Sequence, residues 1–292
     1  MKELTVKAND GLELSCALYE CDEPKAIIQV IHGATEHKGR YDNFCEFLNN
    51  LGYCVIASDN RGHGKSVDSK YFLGHFDSCE QIVEDQYEIT KYVRSLHPDA
   101  PLYLFGHSFG SLLARMYIQQ HDAEVEKLVL TGTVFPISLA KAGTAFCNIA
   151  VKLYGENSTK GLICKMINTG SDTWVCGNPY TLIEYRKDPL VQGCKYTTSA
   201  IREIANSTAH IRKIKDYKCQ NKELCIYTAN GEKDRFRGGN YGLAKTIKFL
   251  NKAGYIHVSA TTYPGMKHEV INELDKASVY ADIARFYNAK VK

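Results

Sequence analysis

The chain has no uninterrupted apolar run approaching the roughly 20 residues that a membrane-spanning helix needs. It has no dense block of Lys and Arg. Its basic stretches are short, as at Arg212-Lys213-Ile214-Lys215, and the net charge is only +3 over 292 residues. Nothing there marks a nucleic-acid-binding face. Paired cysteines are missing too. There are 11 cysteines, an odd number, and none stand at C-x-x-C spacing. With no export signal visible, they read as reduced, mostly buried small hydrophobes of a cytoplasmic protein, and Cys54 and Cys225 fall inside apolar, strand-like runs. No Cys/His cluster has metal-ligand spacing, so no metal is expected. The turn-rich segment Asp59-Asn60-Arg61-Gly62-His63-Gly64-Lys65-Ser66 lacks the full spacing of a phosphate-binding P-loop and reads as structural support for neighbouring loops. The first residues, Met1 to Lys7, carry charges at alternate positions. They read as a strand rather than a signal peptide.

What is present is ordinary globular composition, 44% hydrophobic and 24% charged, with length for one large domain or one domain carrying an insertion. Apolar runs alternate with helical patterns. Leu4–Lys7 and Leu12–Tyr19 flank the turn signal Asn9-Asp10-Gly11 and predict a hairpin. Strands are expected at Ala26–Ile31, Tyr53–Ala57, Leu102–Phe105, Lys127–Leu130, Leu224–Thr228 and His257–Thr261. Helices are expected at Tyr41–Leu51, Cys79–Leu96, Ser111–Gln120, Tyr241–Leu250 and Glu269–Tyr287. That alternation predicts an α/β fold with a mostly parallel central sheet and helices on both faces. Residues 136–218 break the pattern. They offer only helical stretches (Thr144–Tyr154, Gly161–Asn168, Thr181–Tyr185, Thr197–Lys215), and a helical insertion between two strands of such a sheet is expected at the carboxyl edge, where these sheets bind ligands. The predicted organisation is therefore a core from residues 1–135 and 219–292, with a helical cap, or lid, from 136–218.

Gly106-His107-Ser108-Phe109-Gly110 matches G-x-S-x-G between a predicted strand and a predicted helix. A sharp strand-to-helix turn forces its central residue into a strained conformation and lifts Ser108 Oγ clear of the sheet. A serine hydroxyl is a weak nucleophile; it needs a base, and the base needs an orienting carboxylate. Asp234 and His268 occupy the loops after two later strands, with Glu232 the competing carboxylate two residues from Asp234. Glu269 is expected to open the last helix, where its charge suits the dipole. Acyl transfer also requires two N–H donors at the developing oxyanion. The residue after the nucleophile, Phe109, supplies one. Ala34, in the loop His32-Gly33-Ala34-Thr35-Glu36-His37, is the candidate for the other, because Gly33 lets the backbone turn inward. His32, Glu36, His37 and Arg40 are expected to brace that loop.

Four segments together resemble the monoacylglycerol lipase and lysophospholipase family of α/β hydrolases. Residues 32–41 match H-G-x-x-E-H-x-x-R-Y, 59–66 match D-x-R-G-H-G-x-S, and 106–110 match G-H-S-x-G. Residues 263–269 are similar to Y-x-G-x-x-H-E. Ser111 departs from the glycine frequent at its position. The resemblance covers both ends of the chain but not the insertion. It implies an α/β-hydrolase fold, cofactor-free ester hydrolysis, and a lipid-like small-molecule substrate such as a monoacylglycerol or lysophospholipid. Contact with membrane is then at most transient and through the lid. Two alternatives stay open: a short-chain or aromatic-acid esterase or peptidase of the same fold, and a non-catalytic binding protein on a hydrolase scaffold. Acyl length, head group and oligomeric state are not legible.

Overall fold

Eight strands form one sheet: β1 (Lys2–Lys7), β2 (Glu13–Tyr19), β3 (Ile27–Ile31), β4 (Cys54–Ser58), β5 (Leu102–His107), β6 (Val125–Thr131), β7 (Cys225–Gly231) and β8 (Val258–Tyr263). Their spatial order is β1-β2-β4-β3-β5-β6-β7-β8. β1 and β2 pair antiparallel, as do β2 and β4; every other pairing is parallel. The structure is a computed structural model and describes residues 1–136 and 140–290. Residues 137–139, at the start of the predicted insertion, lie outside the described residues.

Parallel strands need long crossovers, and helices supply them. Here these include α1 (Asp42–Asn50), α2 (Cys79–Leu96) and α3 (Phe109–His121). One face of the sheet packs Ile27, Ile31, Ile56, Leu104 and Leu128 against Ile82 and Ile89 of α2 and Leu112 and Leu113 of α3. The other packs Ile28, Val30, Val55, Phe105 and Val129 against Phe44 and Leu48 of α1 and against the last helix. Central strands buried on both faces read as continuous apolar runs. Gln29 interrupts one such run at no cost in unpaired polar groups. Its Nε2 donates to the Gln86 carbonyl and to Gln86 Oε1, both at 2.8 Å, and its Oε1 accepts from Thr90 Oγ1 at 2.7 Å.

Between β6 and β7, the described residues hold five helices and no strand: α4 (Ala140–Tyr154), α5 (Leu162–Asn168), α6 (Pro179–Lys187), α7 (Pro189–Gly193) and α8 (Thr198–His210). α7 has no counterpart in the periodicity. Its start is set by Asp188, whose Oδ1 accepts the Leu190 N–H at 2.9 Å ahead of a proline at the first helical position. This Asp-Pro cap signal is present in the sequence. α9 (Gly239–Ala253) and α10 (Lys276–Asn288) complete the fold. Among the described residues, no helix is long and apolar enough to cross a membrane.

The last helix corrects one expectation. It begins at Lys276, not at Glu269. A short 3-10 turn, Val270–Asn272, precedes it, and Val270 and Ile271 are buried under the sheet. Glu273 is drawn away from helical pairing because its Oε1 accepts the N–H groups of Gly177 and Lys267, each at 2.8 Å. Glu269 does not complement a helix dipole; it is ion-paired to Arg40.

Candidate active site

The carboxyl ends of β3, β5, β7 and β8 bring the predicted residues together. β5 runs straight into α3, and Ser108 at the junction has φ 52° and ψ −114°. A side chain in that region is strained and persists only where its surroundings fix it. Gly106 and Gly110 are what allow the turn. A Cβ on Gly106 would sit 2.5 Å from the Gly110 carbonyl oxygen, and one on Gly110 would sit 2.1 Å from the Ile31 oxygen. The helix is therefore pressed directly on β3.

Ser108 Oγ lies 2.7 Å from His268 Nε2. His268 Nδ1 lies 2.9 Å from Asp234 Oδ1, and both side chains are buried. The separation is that of a hydrogen bond, but Nδ1 has no well-aligned acceptor, and among the described residues the other carboxylate oxygen, Asp234 Oδ2, has no donor. Asp234 is oriented by a second donor, since its Oδ1 accepts the Phe236 N–H at 2.8 Å. Glu232 is exposed and turned elsewhere; its Oε2 accepts the Gly265 N–H at 2.9 Å. Of the two competing carboxylates, Asp234 is the one against the imidazole.

The loop after β3 lies against Ser108. A Cβ on Gly33 would come within 3.0 Å of Ser108 Cβ and 2.4 Å of Glu36 Oε1. Ala34 follows, and among the described residues its N–H has no acceptor within the protein. Phe109 opens α3, so its N–H is one of those without an intrahelical acceptor. Two free donors thus flank the serine.

The bracing residues form buried networks. His32 Nε2 accepts the Asn60 N–H at 2.8 Å, which leaves Nδ1 to donate to the Gly33 carbonyl at 2.8 Å. Burial, reinforced by the neighbouring His63, pushes His32 well below the usual imidazole range, so it is neutral. Glu36 accepts from the Gly33 N–H at 2.5 Å, from Tyr41 Oη at 2.7 Å and from Arg40 Nε at 3.2 Å. Burial, then the facing Glu269, raise its pKa. Arg40 also donates to Glu269 Oε2 at 2.6 Å and stacks over Tyr185 of α6 at 4.8 Å. Burial works against its charge, but the two carboxylates outweigh it. His37 Nε2 meets Asp188 Oδ2 at 2.6 Å. Asp59 takes the N–H groups of Lys38 at 2.8 Å and Lys65 at 2.9 Å, so the 59–66 segment underpins this loop.

Several neighbours of the site have no role legible in the sequence. His107 lies with its ring centroid 4.9 Å from that of His268, and its Nδ1 is 2.9 Å from Thr131 Oγ1. Burial, then repulsion from His268, hold it well below the usual range. Trp174 and Phe236 each sit 5.1 Å from the His268 ring, and Arg235 stacks over Trp174 at 4.5 Å. Tyr196 reaches from the segment before α8 to the Thr35 N–H at 2.9 Å. Trp174, Tyr185, Asp188 and Tyr196 all come from the helical segment between β6 and β7, so that segment touches the site at four points.

A serine, an imidazole and a carboxylate in series, with free N–H donors beside the serine on a sheet of this order, define an α/β hydrolase. The sequence model of the serine aminopeptidase S33 family matches residues 22–275. The chain belongs to that family and, within the α/β hydrolases, to the group of monoacylglycerol lipases and lysophospholipases, which are carboxylic ester hydrolases. It is 27% identical over 275 residues to a monoglyceride lipase homolog of monkeypox virus, covering 92% of this chain and 91% of that protein. It is 29% identical to human monoglyceride lipase over 278 residues, 91% of this chain and 86% of that one. A thermostable carboxyl esterase from Bacillus coagulans superposes with a TM-score of 0.87 at 24% identity, over 100% of this chain and 99% of that one. The monoacylglycerol lipase of Paleococcus ferrophilus superposes with a TM-score of 0.75 at 21% identity, over 94% and 98%.

Proposed function

We propose that the chain hydrolyses monoacylglycerols or lysophospholipids through an acyl-enzyme on Ser108. The observation that carries this is the 2.7 Å contact between Ser108 Oγ and His268 Nε2 at a residue held with φ 52°. Oγ attacks the ester carbonyl while Nε2 takes its proton. The carbonyl oxygen gains the negative charge and is held by the N–H groups of Ala34 and Phe109. The tetrahedral adduct collapses, the C–O bond to the alcohol breaks, and His268 delivers the proton to the leaving oxygen. Water then repeats the sequence on the acyl-enzyme, with Nε2 as base, and frees the acid and Oγ. Asp234 orients the imidazole and balances its charge while it carries the extra proton. No cofactor enters any step.

Residues 1–135 and 219–292 act as the catalytic core, and 136–218 as the lid that selects the acyl chain. The support is the apolar side chains left exposed on its helices, among them Phe146, Ile149, Leu153, Leu162, Met166 and Tyr180. The same stretch carries twelve Lys and Arg against six Asp and Glu, which suits brief contact with a lipid surface. A reducing, cytoplasmic setting fits eleven free thiols, eight of them buried.

A fluorophosphonate should label the wild-type chain and leave Ser108→Ala unlabelled. Initial rates on para-nitrophenyl esters of two to sixteen carbons, below micelle formation, then test the substrate class. With about 0.8 kcal/mol per buried methylene, four added methylenes should raise kcat/KM by up to roughly a hundredfold until the pocket fills. A steady decline from acetate upward would assign the chain to short-chain esterases instead. Labelling of the Ser108→Ala variant would remove Ser108 from the mechanism.

A further inference from the structure

Thr35 follows the proposed oxyanion donor Ala34, and it is one of three described non-glycine residues with positive φ, at 52°. A β-branched residue in that conformation is a true outlier and must be held. Its holder comes from far along the chain. The Thr35 N–H donates to Tyr196 Oη at 2.9 Å. Tyr196 Oη lies 2.7 Å from His63 Nε2, and His63 Nδ1 lies 3.0 Å from the Arg61 carbonyl. The carbonyl can only accept, so Nδ1 carries the imidazole proton. Nε2 is then an acceptor, and Tyr196 Oη donates to it while accepting from Thr35. Every proton in the chain Thr35–Tyr196–His63–Arg61 has a single direction. Burial supports that polarity by pushing the His63 pKa down to about 4, so that both nitrogens are not protonated together at neutral pH.

The ring of Tyr196 is as constrained as its hydroxyl. The residue is 1% exposed. Its ring meets His63 edge-on at 5.5 Å and Phe76 at 6.0 Å, and Phe76 stacks on Phe109 at 5.7 Å. Phe109 carries the other proposed oxyanion donor. One tyrosine from the helical segment therefore bears on both donors, through Thr35 beside Ala34 and through Phe76 against Phe109.

We infer that Tyr196 is a positioning residue for ester hydrolysis: its hydroxyl, polarised by neutral His63, clamps Thr35 in the strained conformation that aims the Ala34 N–H at the oxyanion. The segment between β6 and β7 then completes the reaction centre as well as covering it. This rests on the acyl-enzyme reading above. Removing the hydroxyl leaves the part-buried Thr35 N–H and the buried His63 Nε2 without partners, and the loop relaxes from φ 52°. Loss of a whole oxyanion donor costs about 10²–10³ in kcat. A misdirected donor should cost roughly 10–100.

The test is Tyr196→Phe, which keeps the ring and its packing, with thermal melting as the control for folding. A trifluoromethyl ketone of a six-carbon acyl chain adds to the serine and forms an oxyanion; the matching secondary alcohol fills the same site and forms none. Tyr196→Phe should weaken the ketone by roughly 10–100-fold and lower kcat to match, with alcohol affinity and KM changed less than about twofold. His63→Gln retains an acceptor for Tyr196 and a donor for Arg61, so it should keep most of kcat. His63→Leu should lose kcat as Tyr196→Phe does, and the double variant should lose no more than either, since the residues act as a unit. Equal weakening of ketone and alcohol, an unchanged ketone affinity, or additive losses would each overturn the clamp. If the wild-type chain bound ketone and alcohol alike, the acyl-enzyme reading would fall and take the clamp with it. Failure of the clamp alone leaves the wild-type preference for ketone intact in Tyr196→Phe.

Discussion

Asp234→Asn separates the charge of the carboxylate from its geometry. Asp234 caps the 3-10 turn Arg235–Arg237 through Oδ1, which accepts the Phe236 N–H at 2.8 Å, and the same oxygen faces His268 Nδ1 at 2.9 Å. Asparagine is as good an N-cap as aspartate, so the turn should hold. The Phe236 N–H also selects the amide orientation, because it needs an oxygen at the Oδ1 position. The imidazole then still meets an acceptor, and its Nδ1–H tautomer is retained. What is lost is a negative charge beside the imidazolium that forms in the transition state. With about 4.5 Å between charge centres and an effective dielectric of about 20, that attraction is roughly 4 kcal/mol. The expected loss in kcat is therefore about 10²–10³. It is smaller than the roughly 10⁴ seen where the amide imposes the wrong tautomer. Steady-state rates on para-nitrophenyl butyrate measure it, with the melting temperature showing that the fold is unchanged. Glu232→Gln, whose carboxylate is exposed and bonded to Gly265, should change kcat less than about threefold. If Asp234→Asn kept more than a tenth of the activity, or if Glu232→Gln cost more, the carboxylate beside His268 would not be doing what its position implies.

Other expectations follow from the same contacts. Gly110→Ala places a Cβ 2.1 Å from the Ile31 oxygen and 2.6 Å from the His32 oxygen, so α3 must retreat by roughly 1 Å; a displacement of that size at the nucleophile costs about a hundredfold in kcat/KM, read from ester hydrolysis. Arg40→Met leaves Glu36 and Glu269 buried together without their cation and should lower stability by about 3–5 kcal/mol in urea unfolding; an unchanged midpoint would show the pair to be neutralised otherwise. Acid should destabilise the fold. Burial, with neighbouring imidazoles for two of the three, depresses His32, His63 and His107, and His63 falls to about 4. Between an unfolded value of about 6.5 and the folded values, the unfolded chain binds protons that the folded chain does not, so stability falls with pH by about 1.4 kcal/mol per unit for each imidazole. Asp85, raised to about 6 by burial against the pull of Arg61, and Glu36, raised by burial and Glu269, act in the opposite sense with one proton each. The net remains a loss on acidification from pH 6.5 towards 5, and urea midpoints that stay flat or rise over that range would contradict it.

The sequence determined what local physics can encode. Strand–turn–helix around Ser108 is written in five residues because two glycines must be there for the turn to close. Loops after strands locate Asp234 and His268, since a parallel sheet puts all its carboxyl ends on one edge. The choice of Asp234 over Glu232 follows from loop position and agrees with the contact to His268. The helix expected at Cys79–Leu96 is found with those bounds because its apolar spacing and the Ser78 cap agree. Tertiary structure alone decided the rest. Arg40 and Glu269 are joined across 229 positions, and Thr35 and Tyr196 across 161. No periodicity spans such distances, so the local sequence around Glu269 signals only a helix start. The residues that meet the site from α6, α7 and the stretches beside them, Trp174, Tyr185, Asp188 and Tyr196, belong to a segment whose helices show only that they have apolar faces. Which of those faces turn inward depends on how the segment docks on the sheet edge, and docking is set by packing between parts of the chain that share no local pattern.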